Sequence, residues 1–282
     1  MQIIKEQEDL KNSNIDIIGI IAGMGNLPKI IANDARQRGI RVVTVALENL
    51  ASEELTKFSD EIRWINVGKL GSLIDALKCA GVKKVLMAGK VPKSLLYKSK
   101  IMPDLRATKL LFTLKDRSDD AILRAITAEL QKEGITVIDT CTFSPHLVTP
   151  KGVLTEEPPS KDEWKDIEFG YKIAKKIGEL DIGQTVVIKT QAVIAVEAIE
   201  GTDEAILRGG KLAGDGAVVV KVSKPGQDMR LDVPVVGLST LKSMIQVRAR
   251  VLAIEAEKSI MIGKERLIKE ADEAGISIVG FK

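Results

Sequence analysis

The chain has 282 residues, enough for one large domain or two of ordinary size, and its 45% apolar and 29% charged residues are the balance of a soluble globular protein with a sizeable core. A net charge of +3 is too small to imply nucleic-acid binding, and 3% aromatics leave few platforms on which bases could stack. Cys79 and Cys141 have neither CxxC spacing nor a histidine cluster around them, which fits a reduced, cytoplasmic compartment.

The N-terminal stretch Met1–Asn14 is polar and acidic, wrong for a signal peptide, and reads as a short exposed arm or helix. No apolar run approaches the roughly 18–20 residues of a membrane span. Ile17–Ile21 is a continuous apolar run, expected to be a buried parallel strand. Gly23-Met24-Gly25-Asn26 leads into a helix over 27–38, with Leu27, Ile30, Ile31 and Ala35 on one face and Gly39 as its stop. A strand follows over 41–46, a helix over 72–80 and a strand over 84–87. A helix over 119–132, which Ser118 can cap, and a strand over 135–139 complete the series. Strands alternating with helices that end in glycine predict a parallel sheet covered on both faces.

Residues 150–160, PKGVLTEEPPS, break this rhythm and mark a linker. The spacing then predicts a helix over 164–180, strands over 185–188, 192–200 and 217–221, and a helix over 239–248. A strand over 251–255, a helix over 264–274 and a strand over 276–279 end the chain. The fold class expected is α/β. Residues 1–152 form a Rossmann-like parallel-sheet domain, and residues 160–282 form a second, mixed α/β domain.

Gly23-x-Gly25 between the first strand and first helix is half of a dinucleotide fingerprint, with Pro28 where the third glycine would stand. Proline is tolerated in a first helical turn, so Gly25, Asn26 and Leu27 can still present backbone N–H groups to an anion. Glu48 lies near the position of the acid that a dinucleotide site would require. Ala88-Gly89-Lys90 ends a strand, and ligands of open α/β sheets bind outside such carboxyl ends. Asp116, Asp119 and Asp120 suit a helix dipole. Thr202 can cap a helix, and Asp203 can bind a metal or a sugar hydroxyl.

The segment 221–238, KVSKPGQDMRLDVPVVGL, mixes Lys221, Lys224, Asp228, Arg230 and Asp232 with Pro234 and Gly237. It reads either as an irregular strand and loop that aims charges at a site or as a salt-bridged surface loop. His146 is the sole histidine and has no acid or nucleophile at a recognised spacing, which removes the Ser-His-Asp and Cys-His classes and histidine-rich zinc sites. What remains is chemistry by carboxylates, lysines and backbone amides, suited to phosphate-ester or pyrophosphate cleavage with a hard divalent cation.

The blocks IIAGMGNLP, VLMAGKV, DRSDDAILRAI, LDIGQTVVIKTQAVIAVEAIEGTDEAILR and DMRLDVPVVGLSTL, in that order, resemble the LpxI family of UDP-2,3-diacylglucosamine pyrophosphatases of lipid A biosynthesis. The resemblance implies hydrolysis of UDP-2,3-diacylglucosamine to UMP and 2,3-diacylglucosamine 1-phosphate. It implies that water attacks the α-phosphorus, and that Mg2+ or another divalent cation takes part. It implies a cytoplasmic protein that transiently meets the inner-membrane surface, with substrate between two domains. It makes Asp232 the critical aspartate, with Asp203 a second candidate metal ligand. Gly25, Asn26, Leu27, Ala88, Gly89 and Thr202 fall on segments it places beside substrate, and Lys221 is the lysine expected to meet the phosphates. A homo-oligomer stays open, and no nucleic-acid partner is expected. The alternatives are a dinucleotide-dependent oxidoreductase and a non-catalytic nucleotide-sugar or lipid-binding module.

Overall fold

In the computed structural model, which describes residues 15–92, 102–114 and 119–281, the chain divides into two compact units. The first runs to Pro145 and also contains Met229–Asp232, and the second holds His146–Asp228 and Val233 onward. The arm Met1–Asn14, Asp116 and the Ser118 cap lie outside the described residues.

The first unit is built on β1 (Ile17–Ala22), β2 (Arg41–Leu47), β3 (Glu61–Ile65), β4 (Lys84–Ala88) and β5 (Thr136–Val137). All neighbours run parallel, in the order β3-β2-β1-β4-β5. At its carboxyl end Ala22 lies between Ala46 of β2 and Ala88 of β4. β1 and β2 are apolar on both sides because both sheet faces are covered. α1 (Leu27–Gln37) buries Leu27, Ile31, Ala32 and Ala35. On the opposite face α2 (Leu70–Cys79), α3 (Leu105–Thr113) and α4 (Asp119–Lys132) bury Leu73, Ile74, Leu77, Leu110 and Leu130 with Val43, Val45, Val85 and Met87.

Two elements of this unit carry no apolar pattern and were not expected. β3 is an edge strand whose Glu61 pairs with Arg41 and Arg63, so charge stands where a central strand would be apolar. α3 buries Leu110 but leaves Leu105 and Phe112 exposed, which scrambles its helical period. The strand expected over 135–139 shortens to β5.

In the second unit β6 (Gly152–Val153), β13 (Ser277–Phe281), β11 (Val251–Glu255), β9 (Val218–Lys221), β7 (Thr185–Lys189) and β8 (Ala192–Val196) form a mixed sheet in that order. β9, β11 and β13 are parallel, while β6, β7 and β8 are each antiparallel to the neighbour they join. The period of two divides this sheet between two cores. Val186, Ile188, Val218, Val220, Val251 and Ala253 meet Ile167, Ala174 and Ile177 of α5 (Lys161–Glu179). Val187, Val219, Leu252 and Ile254 face the other way, toward α6 (Thr202–Ala213), α7 (Leu238–Gln246) and α8 (Lys264–Glu273). Ser160 starts α5 with a capping box: its hydroxyl accepts from the Glu163 N–H, and the Glu163 carboxylate accepts from the Ser160 N–H at 2.7 Å. The proline-rich stretch 150–160 is therefore not a bare tether. It supplies β6 at one sheet edge and this cap. β10 (Val235–Val236) and β12 (Ile260–Met261) form a separate two-stranded parallel pair. Among the described residues no helix is long and apolar enough to cross a membrane.

Candidate active site

The strand order of the first sheet reverses between β1 and β4, which makes the carboxyl ends of these two strands its switch point. The glycine loop leaves β1 there, and Ala88-Gly89-Lys90 leaves β4 there. The two loops are hydrogen-bonded to each other. Gly23 N–H donates to Ala88 O at 2.8 Å, Met24 N–H to Lys90 O at 2.9 Å, and Lys90 N–H back to Met24 O at 3.0 Å. Glycine makes this approach possible: a Cβ on Gly89, whose φ is +90°, would lie 2.7 Å from Met24 O, and one on Gly23 would lie 2.8 Å from Lys90 O. Gly25 differs. Its φ is +97°, but a Cβ there would meet nothing within 4 Å.

Met24, Gly25 and Asn26 are exposed, whereas the Leu27 side chain is buried and anchors the start of α1. Asn26 occupies the N-cap position without a side-chain cap, and Pro28 stands in the first turn. The backbone N–H groups of this turn are thus not taken up by a capping side chain, and the helix dipole favours an anion beside them. Glu48 is exposed just past the end of β2.

After β9 the chain forms no helix or strand until β10. Within this stretch Met229–Asp232 belongs to the first unit, although Asp232 was expected in the C-terminal domain. The physical reason is Leu231. Its side chain is 8% exposed and joins the buried cluster of Met87 and Val137. Thr140, 2% exposed, places its hydroxyl 3.2 Å from Met87 O and 3.5 Å from Arg230 O, so one group touches both the end of β4 and the Asp232 segment. Asp232 itself is exposed, in non-helical backbone, as Pro234 two residues on leads one to expect. In the first unit Gly25, Asn26 and Leu27 thus follow β1, Ala88 and Gly89 end β4, and Thr140 links the Asp232 segment to β4 near its carboxyl end.

The other expected site residues lie in the second unit. Lys221, at the end of β9, is 5% exposed, and its ammonium donates to Thr202 Oγ1 at 2.8 Å and to Val235 O at 2.9 Å. Thr202 donates in turn to Glu197 Oε1 at 2.9 Å. Gly201, with φ of +87°, takes the N-cap position that Thr202 was expected to fill. Asp203 accepts from the Thr240 hydroxyl at 3.0 Å. At the end of β11, Glu255 accepts from Ser223 N–H at 2.9 Å, from Ser223 Oγ at 3.0 Å and from Lys175 Nζ at 2.5 Å. Burial raises the pKa of Glu255, but the Lys175 ammonium and the Ser223 donors outweigh it and hold the carboxyl below its ordinary range.

Several groups drop out as reactive centres. Burial, helped by Asp139, pushes the Cys141 thiol up to about 12, far from a thiolate nucleophile. Asp120 pairs with Arg124 one helical turn on, at 2.8 Å. His146 sits on an exposed turn at residues 145–147. Among the described residues no three His, Cys, Asp or Glu side chains converge on a point where they could hold a metal ion. Asp232 and Asp203 therefore belong to no such cluster among the described residues. A magnesium ion held mainly by substrate phosphates needs only one or two carboxylates, and that mode fits an exposed Asp232.

Thr140 and Leu231 were not singled out from sequence. Thr140 had a usable signal, since it directly follows the strand expected over 135–139 and so lies at a sheet's carboxyl edge. Leu231 had none, because a lone leucine inside a charged loop does not announce which core it joins.

Residues 17–147 match the LpxI N-terminal domain, and residues 150–279 match the LpxI C-terminal domain. The UDP-2,3-diacylglucosamine pyrophosphatase LpxI of Caulobacter vibrioides is 30% identical over 274 residues, covering 93% of this chain and 96% of that protein. Solved structures overlap more loosely. A biotin carboxylase domain of Hydrogenobacter thermophilus 2-oxoglutarate carboxylase gives a TM-score of 0.28 at 14% identity over 70% of this chain. A Campylobacter jejuni biotin carboxylase gives 0.29 at 12% identity over 71%. The chain spans 42% of the length of each, and these scores are too low to bear on function. Matches to both LpxI domains in chain order, joined by a relative that aligns along nearly its whole length, place this chain in the LpxI family.

Proposed function

We propose that this protein cleaves the pyrophosphate bond of UDP-2,3-diacylglucosamine, giving UMP and 2,3-diacylglucosamine 1-phosphate. The chain is a hydrolase acting on acid anhydrides. The observation that carries the choice of substrate is the Caulobacter relative of that name, aligned over 93% of this chain. Anion-suited backbone at the switch point, and an exposed aspartate on a segment that Thr140 links to β4, support it.

In this reading the N–H groups of Gly25, Asn26 and Leu27 receive phosphate oxygens at the start of α1. Ala88 and Gly89 form the opposite lip. Asp232 acts as a carboxylate: it orients a water and accepts its proton as the water oxygen bonds to the α-phosphorus. The bond from that phosphorus to the bridging oxygen breaks, and the bridging oxygen departs with the sugar phosphate. A magnesium ion on the substrate would neutralise charge on the phosphate oxygens, with Asp232 as the carboxylate available to it. The acyl chains bring the protein to the cytoplasmic face of the inner membrane as a peripheral partner.

Incubating the purified protein with UDP-2,3-diacylglucosamine, with and without magnesium, tests this directly. UMP and the lipid phosphate should appear in equal amounts, and chelation should suppress them. Binding without turnover would favour a carrier module. Turnover that requires a nicotinamide cofactor would favour the oxidoreductase reading.

A further inference from the structure

We infer that the outer face of α3, in the first unit, is a membrane-contact surface that seats on the headgroup layer of an anionic phospholipid bilayer; the choice of a lipid surface as partner rests on the acylated substrate proposed above. Leu105, Lys109 and Phe112 follow one another at spacings of four and three, so they share one stripe of the helix. Phe112 is 86% exposed and Leu105 72%, and Met102, just before the helix, is also 72% exposed. No other large apolar side chain among the described residues is as exposed.

The helix that carries this stripe is firmly docked. Leu110 is buried in the core of the first unit. One Asp104 oxygen caps the helix by accepting from Ala107 N–H at 2.8 Å, and the other accepts from Gly71 N–H at 2.7 Å. Arg106 pairs with Glu129 of α4 at 3.1 Å and with Glu133 just past it at 2.7 Å. These anchors hold Leu105 and Phe112 out in water, where an apolar partner would gain by covering them.

Charge selects the partner. Arg106, Lys109 and Lys132 line, with the single carboxylate Glu129, a groove of about 590 Å³ between α3 and α4. Residues 93–118 hold seven lysines and arginines against two aspartates, whereas the rest of the chain has slightly more acidic than basic side chains. Large apolar side chains beside lysine and arginine match an interfacial helix, whose apolar groups enter the headgroup–acyl boundary while its cations meet anionic headgroups. Asp104 N–H donates to Gly68 O at 3.0 Å, three residues past β3, so α3 starts at the carboxyl edge of the sheet. The glycine loop leaves β1 at that same edge.

Sedimentation with phospholipid vesicles, in the absence of substrate, tests this. The protein should bind vesicles of equal parts phosphatidylglycerol and phosphatidylcholine at least about 5-fold more tightly than pure phosphatidylcholine, and salt should weaken the binding. Leu105→Ser combined with Phe112→Ser should weaken anionic-vesicle binding about 10-fold or more, while kcat on UDP-2,3-diacylglucosamine in neutral detergent micelles stays within about 2-fold. Lys109→Glu leaves the apolar stripe intact, should weaken binding about 3-fold or more, and decides the matter if the double variant does not fold. No vesicle binding, no preference for the anionic lipid, or undiminished binding by the variants would overturn the inference. So would a dimer on size-exclusion chromatography that the double substitution turns into a monomer, since the stripe would then belong to a second copy. Vesicle binding through this stripe by a protein that does not hydrolyse the substrate would defeat the proposed function and leave the inference standing. Hydrolysis without vesicle binding would defeat the inference alone.

Discussion

Asp232→Ala should fold, bind UDP-2,3-diacylglucosamine with little change in KM, and lose at least about 10²-fold in kcat, the scale of a lost general base. That loss corresponds to about 2.7 kcal/mol of transition-state stabilisation. The side chain is exposed, so truncating it should change stability by no more than about 1 kcal/mol, the scale of an exposed ion pair. The backbone around it is held by its neighbours: Leu231 is anchored in the core of the first unit, and the Arg230 carbonyl lies near Thr140. A role confined to the transition state lowers turnover and spares ground-state binding. Steady-state kinetics together with a thermal melt separate the possibilities. A lowered melting temperature with near-normal kcat would mean that Asp232 serves only as a structural ion-pair partner.

Gly89→Ala should have the second-largest effect, and it should act on folding first. The added Cβ would lie 2.7 Å from Met24 O and 2.8 Å from the Gly23 carbonyl carbon, both backbone atoms that cannot rotate away. The φ of +90° adds strain for any side chain. Together the two terms should cost about 3 kcal/mol or more and lower the first thermal transition by about 6 °C or more. Activity should fall with it, because the loops from β1 and β4 would be forced apart at the switch point. Gly25→Val provides the contrast. No atom lies within 4 Å of its Cβ, so only the strained φ of +97° counts against stability, at about 1–3 kcal/mol. Its main effect should be a raised KM if, as proposed, the N–H groups of this loop receive phosphate. If Gly25→Val left the kinetics untouched, the glycine loop would be an ordinary turn.

Much of the architecture was legible in the sequence, because continuous apolar runs such as Ile17–Ile21 and Val85–Met87 belong to strands buried on both faces. What escaped were elements whose side chains do not report burial, notably β3 with its charged edge and α3 with its exposed Leu105 and Phe112. The glycine loop and the end of β4 could be placed at a sheet edge, but not their mutual hydrogen bonding, which depends on a strand order of β3-β2-β1-β4-β5. Gly89 was placed on a segment beside substrate; the structure adds that its missing side chain admits the neighbouring loop. The segment 221–238 stood out for its charges, yet its fastening depends on contacts remote in sequence, from Thr140 to Arg230 and from Glu255 to Ser223. Periodicity cannot encode such pairs.

Hydrolysis in water enriched in oxygen-18 tests the central claim most directly. Attack at the α-phosphorus forms the new P–O bond on UMP, so mass spectrometry should find one labelled oxygen in UMP and none in 2,3-diacylglucosamine 1-phosphate. Label in the lipid phosphate with unlabelled UMP would place the attack on the other phosphorus and contradict the account.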